Sequence, residues 1–209
     1  MRDYAISELV LFLCAAAGAW MLLRRGRDID RDAGLIMAVA LMFLGAAALI
    51  GAIRYGFDIL GPLRLTHRYL TNLFSVAGMA LIAGALLTCA KPEVFAGKSS
   101  WIIGAALAVY VIVVLTGSSP TTITLIGAVN AGAAIGAGAA LAKFGSWRAG
   151  LAAILGVVII AAAGLVVGSG PDKISGLIAR WHVFHLMLAS AAALLAWSVL
   201  LVKPENVRR

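Results

Sequence analysis

Three histidines in this 209-residue chain sit among side chains with which imidazoles can do chemistry. His182 and His185 are three residues apart, so on a helix their rings share one face, about 60° apart around the axis. His67 is followed at steps of four by Thr71 and Ser75, a polar stripe of about two turns with Asn72 beside it. Arg54, Asp58, Arg64, Arg68, Asp172, Lys173 and Arg180 gather near the same segments, and Glu8 interrupts an otherwise apolar run. Three chemistries fit. His67, His182 and His185 with a carboxylate, Asp58 or Glu8, would offer zinc three or four ligands and an open position for water. In that reading Asp58 orients or deprotonates the water, and Thr71 and Ser75 line a substrate cleft. A b-type haem between His67 and one histidine of the pair, its propionates on arginines, ranks below zinc. Arg54, Arg68 and Arg180 could instead receive the phosphate or carboxylate of an anionic lipid. The plainest alternative makes the charged groups interfacial anchors and leaves the histidines satisfied by backbone carbonyls.

The elements that must position these groups are membrane-spanning helices. Hydrophobic residues make up 63% of the chain and charged ones 12%, about half the charged share of a soluble domain. Mean hydropathy is +1.03. A soluble globule and a disordered chain are excluded, as is an outer-membrane barrel, whose strands would alternate polar and apolar residues. A helix needs about 20 apolar residues to cross the hydrocarbon core. Apolar runs with at most one charged residue toward an end meet that length near 33–54, 67–90, 149–168 and 181–202, and near 5–23 if Glu8 is tolerated. The run from 99 to 142 is too long for one span and is broken by Thr116-Gly117-Ser118-Ser119-Pro120, a turn signal, so it divides into 99–117 and 121–142. The fold class is therefore all-α integral membrane, a seven-transmembrane-helix bundle in one domain covering 1–209.

Seven spans sort the 17 basic residues by side. Eleven, from Arg24 and Arg25 to Arg208 and Arg209, follow odd-numbered spans; Arg2, Arg54, Arg64, Arg68, Lys173 and Arg180 precede them. The bias places the N-terminus outside and the C-terminus in the cytoplasm, in a multi-pass protein of the cell (inner) membrane. It also accounts for the net charge of +8 without nucleic acid. The first run keeps Arg24-Arg25-Gly26-Arg27 behind it, the flank of a retained helix rather than of a cleaved signal. Gly127, Ala131, Gly132, Gly136 and Gly138 give the fifth helix several small-xxx-small pairs, which makes it the most central or most tightly packed helix, or else a homo-oligomer face. Asn130 is its deepest polar side chain, expected to make an interhelical hydrogen bond.

The segments Trp181-His182-Val183-Phe184-His185-Leu186 and Gly51-Ala52-Ile53-Arg54-Tyr55-Gly56-Phe57-Asp58, within seven helices, resemble the CREST superfamily of membrane hydrolases, which includes alkaline ceramidases and adiponectin-receptor-like and haemolysin-III-like proteins. The resemblance implies a zinc that activates water against a lipid amide or ester, with Asp58 near the family's aspartate and His182 and His185 near its histidine pair. Here the pair is spaced three rather than four, helix 2 lacks the family's serine and histidine, and His67 lies in helix 3. The non-enzymatic alternative is an accessory subunit of a larger membrane complex, docking a partner or membrane lipid.

Overall fold

The structure is a computed structural model, and it describes residues 2–25, 31–168, 172–174 and 178–202. The basic residues Arg27, Lys203, Arg208 and Arg209 lie outside them. The long helices are α1 (Arg2–Arg25), α2 (Arg31–Gly56), α3 (Arg64–Ala90), α4 (Ser99–Leu115), α5 (Pro120–Phe144), α6 (Trp147–Val167) and α7 (Arg180–Leu200). All but α4 are long and apolar enough to cross a membrane. A one-turn helix, Pro92–Phe95, precedes α4, and a two-stranded antiparallel ribbon pairs Lys173–Ile174 with Ile178–Ala179 before α7.

Local chemistry sets the helix ends. Ser119 accepts from the Thr122 N–H at 3.1 Å with Pro120 at the first helical position, which starts α5 directly after the Gly117 turn (φ +63°). Ser146 caps α6 in the same way through Ala149. At the start of α2, Asp32 receives the Gly97 N–H and, at 2.6 Å, the Ser99 hydroxyl, which fastens α2 to the beginning of α4.

Six helices close a ring. Each packs on the next in the order α1, α2, α3, α5, α6, α7, and α7 returns to α1, while α4 leans on α2 and α3 from outside. Two π turns interrupt the ring, Phe74–Gly78 within α3 and Ala163–Val167 at the end of α6. A π turn frees carbonyls from their usual intrahelical donors. In α3 the Val76 carbonyl receives the Asn130 side-chain amide of α5 at 2.8 Å.

Of the six helices long and apolar enough to cross a membrane, α3 is the most buried and α5 the least, so the reading of α5 as the most central or most tightly packed helix is corrected. Its small residues divide between two surfaces. Gly138 meets Gly150 and Ala153 of α6, and Gly127 meets Ser75, whereas Gly132 and Gly136 face open space. A Cβ at Gly150 would stand 2.5 Å from the Gly138 carbonyl oxygen and the Ala142 nitrogen, both backbone atoms that cannot swing aside. Gly150→Ala is therefore expected to cost about 1–3 kcal/mol of stability. Gly132→Ala should be neutral or stabilising by about 0.5–1 kcal/mol. Unfolding midpoints in detergent check the pair, and equal shifts would contradict the packing.

Candidate functional site

One end of the ring encloses a cavity of about 410 Å³ whose walls come from all six ring helices. Its lining is mostly apolar, and its ionisable side chains are Glu8, His67 and His185. They meet. Glu8, 1% exposed, places Oε1 3.2 Å from Nε2 of His185 and 3.7 Å from Nε2 of His67. The carboxylate fits because α2 presents Gly51 to α1: any Cβ there would collide with the Glu8 carboxylate.

The proton inventory at this contact follows from its neighbours. His185 donates Nδ1–H to the Trp181 carbonyl at 2.8 Å, since a carbonyl only accepts. A neutral His185 thus turns the Nε2 lone pair toward a carboxylate oxygen. The contact is attractive only if a proton lies between them, on Nε2 or on Glu8. An ionised Glu8 without that proton would be an uncompensated charge in a low-dielectric site. The Nε2 to Oε1 approach is close but not aligned as a hydrogen bond, so Oε1 is a buried acceptor with unmet capacity.

Aromatic rings cover the cluster beyond the cavity. Trp181 stacks tilted on His185 at 4.7 Å between ring centroids, Tyr4 lies tilted on Trp181 at 5.3 Å, and Tyr55 meets Trp181 edge-on at 5.0 Å. The Trp181 Nε1–H is buried and has no acceptor. On the opposite flank the wall includes exposed Thr124 and Ala128 of α5 and exposed Gly164 and Leu165 of α6, so the cavity opens sideways between those helices.

His182 does not join His67 and His185. Ser7 spends its hydroxyl proton on the Tyr4 carbonyl at 3.1 Å and accepts from His182 Nδ1 at 3.1 Å. The shared helix face splits because His185 turns into the ring and His182 turns along α1. Asp58 is exposed in the α2–α3 turn at φ +57°, a conformation Asp tolerates, and is not in the cavity wall. The expected set of His67, His182, His185 and Asp58 is therefore not brought together. Among the described residues no group of three or more His, Cys, Asp or Glu side chains is placed to hold a metal ion. Glu8 Oε1 faces both imidazole nitrogens, His185 Nε2 at 3.2 Å and His67 Nε2 at 3.7 Å.

The arginines do not form an anion pocket at the cavity. Arg54 donates Nε–H to the Leu60 carbonyl at 3.0 Å and lies over Tyr55, while Arg68 and Arg180 are exposed; none of the three lines the wall. Thr71 and Ser75 do line it, and Thr71 donates to the His67 carbonyl at 2.9 Å. Asn130 serves the π turn instead. Sequence reasoning weighed Glu8 only as an alternative to Asp58, took Gly51 as a packing glycine of helix 2 without linking it to Glu8, and gave Trp181 no role in the site. The pair Ser7-Glu8, polar inside an apolar span, was the available signal.

No family model matches the chain, and no curated protein or solved structure matches it.

The 3.2 Å contact makes Glu8 and His185 energetically one unit. His185→Leu should destabilise the protein by about 3 kcal/mol or more by removing the nearer of the two imidazoles that face the buried carboxyl group. Adding Glu8→Leu should recover most of that loss. Simple additivity of the two single variants in a detergent unfolding cycle would show that they are uncoupled.

Proposed function

We propose that this chain is a seven-span protein of the cell (inner) membrane, N-terminus outside and C-terminus cytoplasmic, that binds a single-chain amphiphile in the ring cavity. One observation carries the reading: an apolar cavity of about 410 Å³ ends at a buried Glu8–His67–His185 cluster. That volume is within the roughly 300–1,000 Å³ of small-ligand sites, and a few polar groups at one end of an apolar wall are how such sites orient a ligand. The sideways opening between α5 and α6 admits a molecule from the lipid phase, while the rings of Tyr4, Tyr55 and Trp181 cover the other side.

In this reading α4 is the seventh span. Its 17 residues reach about 26 Å at 1.5 Å each, close to the roughly 30 Å hydrocarbon thickness. The Lys/Arg bias supplies the orientation. In a background lacking Cys14 and Cys89, Ser118→Cys, in the turn between α4 and α5, should react with a membrane-impermeant maleimide on intact cells. Ala96→Cys, before α4, should react only after lysis. Labelling of both on the same side would leave α4 outside the membrane and remove the seventh span.

The ligand itself is tested by native mass spectrometry of delipidated full-length protein offered C14 amphiphiles. Wild type should retain one per chain. Ala131→Phe, which fills the wall at α5, should lose at least tenfold in occupancy with its unfolding midpoint kept. Unchanged occupancy in that variant would reject the cavity as the site. The hydrolase suggested by the CREST likeness makes a different forecast: zinc at one per chain, lost in His67→Ala/His185→Ala. That result would replace the present reading.

A further inference from the structure

Tryptophan and charge distinguish the end of the bundle away from Glu8. Trp20, Trp101, Trp147 and Trp197 lie within about two turns of the helix ends at the side where α1, α3, α5 and α7 finish, and each is more than half exposed. Trp181 is the only tryptophan at the other end. Tryptophan gathers where hydrocarbon gives way to headgroups. The same end is basic around α3, α5 and α6, because between Asp58 and Asp172 the sequence carries a single acidic residue, Glu93. Its carboxylate meets Lys91 at 3.8 Å, but both side chains are exposed, so the pair is weak.

Three accessible cations of that end come together from three helices. The turn between α5 and α6 is pressed against the end of α3: a Cβ at Gly145 would stand 3.2 Å from the Leu141 carbonyl oxygen and 3.8 Å from that of Cys89. Phe144 is thereby shared, with Lys91 Nζ 4.2 Å and Lys143 Nζ 5.0 Å from its ring centroid. Arg148, in the first turn of α6, lies over Trp147 with its guanidinium 5.5 Å from the ring centroid. Neither Lys143 nor Arg148 has a carboxylate partner among the described residues. Two ammonium groups beside one ring repel each other, and an anion received by both removes that repulsion. A phosphate diester does so and can also accept two hydrogen bonds from the guanidinium. From Trp147 an exposed apolar stripe runs along α6 through Leu151, Leu155 and Val158, at the spacing of one helix face. Acyl chains fit that stripe, which a soluble phosphate or an acidic protein segment would leave unused.

We propose that Lys91, Lys143 and Arg148 form a headgroup site for an anionic phospholipid at the end of the bundle where α3 and α5 finish and α6 begins. The site is separate from the ring cavity, and it rests only on the membrane placement of these helices.

The test is a competition. Delipidated full-length protein is offered an equimolar mixture of dimyristoylphosphatidylglycerol and dimyristoylphosphatidylcholine, which share their chains and differ in headgroup charge, with sn-glycerol 3-phosphate as the soluble source of the same phosphate chemistry. Retained species are counted by native mass spectrometry. A cation beside an anionic headgroup is worth about fivefold in affinity, so phosphatidylglycerol should be retained roughly tenfold or more over phosphatidylcholine. Lys91→Gln/Lys143→Gln/Arg148→Gln should abolish that preference, and Arg148→Gln alone, a change at an exposed side chain, should lower it about threefold. Lys91→Arg/Lys143→Arg should keep it. Arg64→Gln/Arg68→Gln/Arg180→Gln, which removes the same charge from exposed positions at the opposite end, should leave it unchanged. Equal retention of the two lipids by wild type, or equal loss in the two triple variants, overturns the site. Retention of sn-glycerol 3-phosphate as tight as that of phosphatidylglycerol overturns the lipid as its source. Loss of the preference in the cavity-filling variant Ala131→Phe would place the phospholipid in the ring cavity and overturn the separate site, whereas an amphiphile lost from that variant with the preference intact supports both sites independently.

Discussion

A carboxyl group buried inside a ring of apolar helices is the constraint around which this structure is arranged. Glu8 is almost fully enclosed, and the interior of a membrane protein tolerates such a group only when partners surround it. Two imidazoles from two other helices supply them, so α1, α3 and α7 must converge at one end of the ring. Gly51 gives up its side chain to make room on α2, and the Trp181 carbonyl fixes which nitrogen His185 turns inward. Four helices are thus committed by one carboxyl group.

The two π turns extend the same logic. One lies in α3 a turn beyond Thr71, the other at the end of α6, and residues of both line the cavity. An inserted residue shifts the helical phase, so the surface before the turn and the surface after it need not face the same neighbour. The Asn130 amide compensates a carbonyl of the first π turn, and Gly127 lets the same stretch of α5 approach Ser75. Packing and site geometry are therefore the same contacts.

The all-helical class and six helices long and apolar enough to cross a membrane were legible because the length of an apolar run is a local property. Its ends were less so: α2 begins at Arg31 and α3 at Arg64, charged residues that remain helical at the ends of spans. Which helices are neighbours is not local, and most of the site depends on it. The glycines of α5 declare a smooth surface without saying what covers it, and Gly132 and Gly136 proved to face open space. Periodicity placed His182 and His185 on one face, yet a separation of about 60° is enough to send one into the ring and the other to Ser7. Asp58 drew attention by lying beside Arg54 and before His67, but the turn carries it outward, while Glu8, distant in sequence from every histidine, lies between His67 and His185.

The position of the opening has a consequence for how occupancy is expressed. Exposed Thr124, Ala128, Gly164 and Leu165 place a mouth between α5 and α6. On the proposed reading a molecule that entered there from the bilayer would exchange with it in two dimensions and displace an acyl chain, not water. Its occupancy is then governed by mole fraction among lipids. Diluting the protein in buffer leaves that ratio untouched, whereas adding inert lipid lowers it.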